Sequence, residues 1–177
     1  MAAHYPSGTG SIVAIAGHPL HPMAVSLPIG ALILALGADI GFWITQNPFW
    51  VYAATWLLLA ALVTGAIAAL LGVIELIGLG RARTLKVGLA HGAGNVLLLM
   101  LSLWNYSLHL DTPEQVIPYG LIISIVGVVL VVATGWLGGE LSYRHGIGVS
   151  RQIGVSEGYD HGYPPNSRDR SANPKVR

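Results

Sequence analysis

The sequence contains no cysteine. That excludes disulfides, thiolate metal sites, iron–sulfur clusters and covalently attached haem within the chain. Any cofactor must therefore be held by histidine, methionine, carboxylate or backbone groups. Charge is almost as scarce. Asp, Glu, Lys and Arg make up 10% of the residues, against roughly 25% in soluble domains. A formal net charge of +1 offers no basic surface for a nucleic acid. The stretch from Met1 to Gly17 holds no Lys or Arg. It lacks both the basic start and the apolar middle of a cleaved signal peptide, so insertion is expected to be driven by the first membrane helix itself.

What fills the chain instead is apolar, 53% of all residues. Four apolar runs, at about Met23–Thr45, Val51–Leu79, Val87–Leu108 and Val116–Leu137, are long enough to cross the hydrocarbon layer, which takes about 20 helical residues. The loops between them are short and demand antiparallel neighbours. The predicted fold is an all-α integral membrane protein, an antiparallel bundle of four transmembrane helices. Residues 1–16 read as a flexible N-terminus and 17–149 as the membrane domain. Residues 150–177 are rich in Gly, Ser, Pro and charge, and read as a disordered tail. Glycines recur along the helices, at Gly65, Gly72, Gly88, Gly92, Gly127, Gly135, Gly138 and Gly139. They fit close helix packing, and an alternative role for some is to leave room for a flat cofactor.

All nine basic residues fall on one side of this four-span arrangement. Arg81, Arg83 and Lys86 lie between the second and third helices, and Arg144, Arg151, Arg168, Arg170, Lys175 and Arg177 follow the fourth. The loops Gln46–Trp50 and His109–Gln115 carry none. The positive-inside rule then places both termini in the cytoplasm, with the chain in a bacterial inner (plasma) membrane. The other face carries an aromatic belt of Trp43, Phe49, Trp50, Tyr52, Trp104, Tyr106 and Tyr119.

Seven histidines stand out against this background. His18 and His21, in Gly17-His18-Pro19-Leu20-His21-Pro22, sit at the cytoplasmic lip of helix one. Their i, i+3 spacing puts both rings on one face of a helical turn. The prolines that follow them favour a rigid turn that pre-positions the imidazoles. His91 lies roughly 7–8 Å into helix three from the same side. It shares a face with Asn95, among glycines at 88, 92 and 94 that clear space for a cofactor. Glu75 lies roughly 6 Å inside helix two. A carboxylate there needs a partner, and a histidine is the default. Glu140 and His145 follow helix four, where His145 joins a site only if the chain folds back under the bundle. Asp39 and His109 fall at the outer end, and His4 and His161 in the tails. None of these four needs a site to explain it.

At these residues the chain resembles the domain of unknown function 2231 family of predicted membrane proteins. The resemblance rests on Gly-His-Pro-Leu-His-Pro at 17–22 and on Pro28-Ile29-Gly30. It continues with an acid in the second helix, a histidine at the start of the third, and a Gly-Gly-Glu-Leu-x-Tyr-Arg-His-Gly stretch after the fourth. It covers roughly residues 17 to 149. Some relatives are fused to a Rieske-type iron–sulfur or cytochrome-like domain, which implies a redox setting. The family often has Asp followed by Trp where this chain has Glu75-Leu76. This chain carries no such fused domain, so its electron partner is expected to be a separate protein or a quinone.

The favoured function is binding of a redox cofactor, b-type haem, by His91 with His21 or His18, for electron transfer. His145, Gly88, Gly92 and Asn95 complete the candidate site. An alternative is a single transition metal (Zn, Fe or Cu) on His18, His21, His91 and Glu75. A third is a structural or assembly subunit without cofactor, in a homo- or hetero-oligomer. The sequence holds no nucleophile paired with a base and no phosphate-binding glycine loop, so a binding or electron-transfer subunit is expected rather than a self-contained enzyme. A transporter is disfavoured, because the outer half offers no matched ionisable groups.

Overall fold

The computed structural model describes residues 9–111 and 116–149. Within them lie four helices long and apolar enough to cross a membrane, Leu20–Thr45, Phe49–Gly78, Lys86–Leu110 and Val116–Tyr143. The first is formed by α1 (Leu20–Ala24) and α2 (Ser26–Thr45), offset at Val25. Pro28 has no N–H to return to the carbonyl one turn back, so the ladder is broken there. Then follow α3 (Phe49–Gly78), the short α4 (Gly80–Thr84), α5 (Lys86–Asp111), a π-helical turn (Val116–Gly120) and α6 (Leu121–Tyr143). The predicted tail at 150–177 and residues 1–8 lie outside the described residues.

The bundle closes as a ring. α2 packs on α3 and α6, and α5 packs on α3 and α6, which leaves α2 and α5 facing each other across the diagonal. Small residues make that closeness geometrically available, since Ala35, Ala38, Ala54, Ala61 and Ala68 are all buried. The apolar centre is one layer, built from Leu32, Ala35, Leu58, Ala61, Leu98 and Val131. Large side chains such as Leu34, Trp56, Leu70, Val132 and Trp136 point outward, as expected where lipid is the solvent. Five of the seven belt aromatics are exposed at one end: Trp43, Phe49, Tyr52, Trp104 and Tyr119. The other two have inward tasks. Trp50 packs on Gly41, and Tyr106 packs against the apolar core.

Residues 9–16, expected to be flexible, are instead folded across the end of the bundle opposite the belt. A strand at Thr9–Gly10 (β1) pairs in parallel with Ile147–Gly148 (β4), and Ala14–Ile15 (β2) pairs with His18–Pro19 (β3) in a hairpin. The hairpin turns at Ala16 and Gly17, both at positive φ, which is the conformation a two-residue type I′ turn demands. This N-terminal strap is also tied to α3. Ile12 lies over Gly78, and Glu75 Oε1 accepts hydrogen bonds from the Ser11 hydroxyl and from Val13 N–H (3.1 Å).

Gly88, expected to clear space for a cofactor, has another function. A Cβ there would stand 2.5 Å from the Ala82 carbonyl oxygen, so its missing side chain lets α4 fold back on α5. Gly88→Ala is expected to lose about 1–3 kcal/mol of stability. Gly37→Ala, which meets nothing within 4 Å, is expected to gain up to about 1 kcal/mol. Thermal unfolding of the two variants in detergent checks the contrast.

Candidate functional site

At the strap end the four helices splay around a cavity of about 440 Å³. Its wall is mostly apolar, with His21, Glu75, His91, Asn95 and Thr134 among its polar members. Two imidazoles from different helices meet there. The ring centroids of His21 and His91 are 6.2 Å apart and the ring planes are perpendicular.

Each imidazole is seated by the same device. His21 Nδ1–H donates to the Ala68 carbonyl on α3 (2.8 Å), and His91 Nδ1–H donates to the Thr134 carbonyl on α6 (2.9 Å). Four residues after each of those carbonyls is a glycine, Gly72 or Gly138. A Cβ at Gly72 would stand 2.9 Å from His21 Cε1, and one at Gly138 3.1 Å from His91 Cε1. The glycine opens a notch in the helix surface, and the ring lies in the notch with its Nδ1 on the carbonyl one turn back. A carbonyl oxygen can only accept, so both rings carry their proton on Nδ1. In the neutral ring Nε2 of each is then the acceptor. On His91 it accepts a long contact from Asn95 Nδ2 (3.3 Å), whose amide also donates to His91 O (2.8 Å).

Of the expected site residues, His21, His91, Gly88, Gly92, Asn95 and Glu75 reach the cavity wall. His18 does not. It lies in β3, exposed, with Nδ1 on the Ala16 carbonyl (3.0 Å). The i, i+3 pairing of His18 with His21 fails because Pro19 holds the chain extended up to the start of α1. The chain after α6 does fold back, and Ile147 and Gly148 line the cavity, but His145 is not part of its wall. Glu75 takes its partners from the strap rather than from a histidine, because both imidazoles are bound to carbonyls and face the cavity. Glu140 pairs with Arg144 on the surface (2.9 Å). Thus the four metal candidates do not converge, and among the described residues no group of three or more His, Cys, Asp or Glu could hold a metal ion. Gly92 meets nothing within 4 Å and borders open cavity.

The far half of the bundle holds a second polar centre. Asp39 on α2 and His109 on α5 are hydrogen-bonded across the diagonal, Oδ1 to Nε2 2.9 Å, with both side chains fully buried. Ser124 on α6 donates to Asp39 Oδ2 (2.5 Å), Asn105 Nδ2 donates to Ser124 Oγ (2.8 Å), and His109 Nδ1–H donates to the Asn105 carbonyl (2.9 Å). Gly120 leaves room for Asn105 and His109, since a Cβ there would stand 3.2 Å from each. The expectation that Asp39 and His109 need no site, and that the outer half lacks matched ionisable groups, is corrected here. Helix three was expected to stop near Leu108, which put His109 in a loop; α5 continues to Asp111 and carries the imidazole inward.

The notches make a sharp test. Gly72→Ala and Gly138→Ala are each expected to unseat an imidazole and to cost about 0.5–2 kcal/mol, the range of an interhelical hydrogen bond. Gly92→Ala is expected to be neutral or stabilising. Unfolding midpoints in one detergent decide, and equal midpoints for all three would remove the notch argument.

No curated protein and no solved structure matches the chain. A family model described as predicted membrane protein (DUF2231) matches residues 17–151, from the His-Pro-Leu-His-Pro turn to just past β4. That stretch contains the notched imidazoles, the cavity and the buried Asp39–His109 pair, and the chain belongs to this family of membrane proteins.

Proposed function

We propose that the cavity binds a redox cofactor, b-type haem, held by His21 and His91, and that the protein serves membrane electron transfer. One observation carries the proposal: both imidazoles are held by backbone carbonyls in the tautomer that makes Nε2 the acceptor, at the wall of one apolar cavity, and His91 Nε2 has only the long Asn95 contact to give up. A hydrogen bond from the far nitrogen to a carbonyl is how ligating histidines are oriented and made more basic. The 6.2 Å ring separation is short enough for one group to touch both. A cavity of about 440 Å³ lies within the roughly 300–1,000 Å³ range of small-molecule and cofactor sites. Bound haem supplies one-electron chemistry. The chain supplies the two imidazoles, the Asn95 amide beside His91, and mostly apolar walls. A single transition metal fits less well, because the two imidazoles stand without a third ionisable ligand among the described residues.

Arg81, Arg83 and Lys86 beside the cavity end support, by the positive-inside rule, a cytoplasmic position for that end, in what we read as a bacterial inner membrane. The electron partner is then a quinone or a separate redox protein.

Protein purified in detergent from haem-replete cells is expected to show a Soret band that shifts on dithionite reduction. His21→Ala and His91→Ala are expected to lose it, and His18→Ala and His145→Ala to keep it. A colourless preparation would sink the haem reading, and stoichiometric metal without porphyrin would select the single-ion alternative. Orientation has its own test, helped by the absence of native cysteine. Asn47→Cys is expected to react with an impermeant maleimide from outside intact spheroplasts, and Thr84→Cys only after permeabilisation; the opposite pattern reverses the topology.

A further inference from the structure

A void of about 10 Å³ sits between the cavity and the buried Asp39–His109 pair, with Ser102, Asn105, Ser124 and Gly127 in its wall. That is close to the smallest space that holds one water, and a water needs two to four polar partners to stay. Ser102 Oγ donates to Leu98 O and keeps its lone pairs. Ser124 Oγ accepts from Asn105 and donates to Asp39, which leaves one lone pair. Asn105 is 1% exposed, and its Oδ1 has no partner among the described groups. Ser102 and Leu32 also line the large cavity, so the void continues it towards the far half of the bundle.

We propose that Asp39 is a proton-binding site, loaded from the cavity through one water in this void and the Ser124 hydroxyl. The cluster is built as a relay with Asp39 as its sink. Asn105 donates to Ser124, Ser124 to Asp39 Oδ2, and His109 to Asp39 Oδ1, so these three hydrogen bonds run towards the carboxylate. His109 has its Nδ1 proton held by the Asn105 carbonyl, so the pair shares one further proton between Nε2 and Oδ1. When a proton arrives, the water donates it to the free lone pair of Ser124 Oγ. Ser124 releases its own hydroxyl proton to Asp39 Oδ2, the carboxylate becomes a carboxyl, and His109 keeps its protons. The centre gains one positive charge, and reversing the two transfers returns it.

Among the described residues, His109 is the one ionisable partner of Asp39. α3 has no Asp, Glu, His, Lys or Arg from Phe49 to Ile74, and α6 has none before Glu140. The other titratable groups of the facing segments at this end are Tyr52 and Tyr119, both exposed, and Tyr106 on α5, half-buried against the core. The proposal stands independently of haem, since none of its residues is one that would hold the cofactor.

The test is time-resolved infrared spectroscopy of the full chain in lipid nanodiscs after a downward pH jump. A protonated-carboxyl stretch at the raised frequency of a carboxyl out of water, distinct from those of Asp111, Asp160 and Asp169, is expected to appear, to shift with ¹³C-aspartate labelling, and to be missing in Asp39→Asn. Gly127→Ala places a methyl in the void wall and meets only Leu98, at 3.8 Å, so it is expected to fold. It and Ser124→Ala are expected to slow the appearance of the band about tenfold, the equivalent of one lost hydrogen bond, with the same end point. A band that survives in Asp39→Asn, or one that rises at the wild-type rate in Gly127→Ala, overturns the proposal. Absence of any aspartate band in the folded wild type across the accessible pH range does so as well.

Discussion

Bulk water does not enter the hydrocarbon layer, so a polar side chain inside the bundle must find its partner within the bundle. Nearly all the specific geometry of this protein follows from that demand. Its interior polar groups fall into two layers separated by the apolar layer of Leu32, Leu58, Leu98 and Val131. In one layer the partners are backbone carbonyls, opened for use by glycine. In the other they are side chains that satisfy one another around Asp39. Both layers join elements that are distant in sequence, and Asp39–His109 and His21–His91 each bring a residue from the first membrane helix to α5.

The two layers differ in what they leave free. Around Asp39 the donors and acceptors are almost fully matched, and the one orphan, Asn105 Oδ1, belongs to the residue that also lines the small void. Around the cavity each imidazole is matched at Nδ1, while Nε2 meets only the long Asn95 contact on His91 and no partner on His21 among the described residues. Imidazole acceptors that face an apolar space are positioned to engage a group bound in that space. This asymmetry separates a structural polar layer from one shaped for a ligand. The strap over α3 fits the same picture, because Glu75 is spent on Ser11 and Val13 and holds the N-terminal hairpin at the cavity mouth.

Glycine deserves separate comment because one residue type serves three purposes here. Gly72 and Gly138 make notches for imidazoles, Gly88 admits a backbone carbonyl from α4, and Gly92 borders open space. The sequence shows that glycines recur at helical spacing. It does not show which one faces a ring, since that depends on the rotation of each helix about its axis relative to its neighbour. A glycine four residues after a carbonyl, at the depth of a histidine on another helix, is the signal that could have found the notches.

The class of fold was legible from composition alone: scarce charge and four long apolar runs leave an antiparallel membrane bundle as the arrangement that satisfies the backbone. The end of the bundle at which His21, His91 and Asn95 gather was legible too, because depth along a helix is counted at a fixed rise per residue. Partner choice was not. The sequence suggests a histidine for Glu75, which instead holds the strap; it suggests a shared face for His18 and His21, but His18 lies in a strand; and it suggests no task for Asp39 and His109, which pair fully buried. Sequence determines how deep a residue sits and how costly it is to bury. Only the tertiary structure decides which lone pair meets which proton, because that turns on helix rotation and the exact end of α5, and a shift of one residue turns a side chain by about 100°.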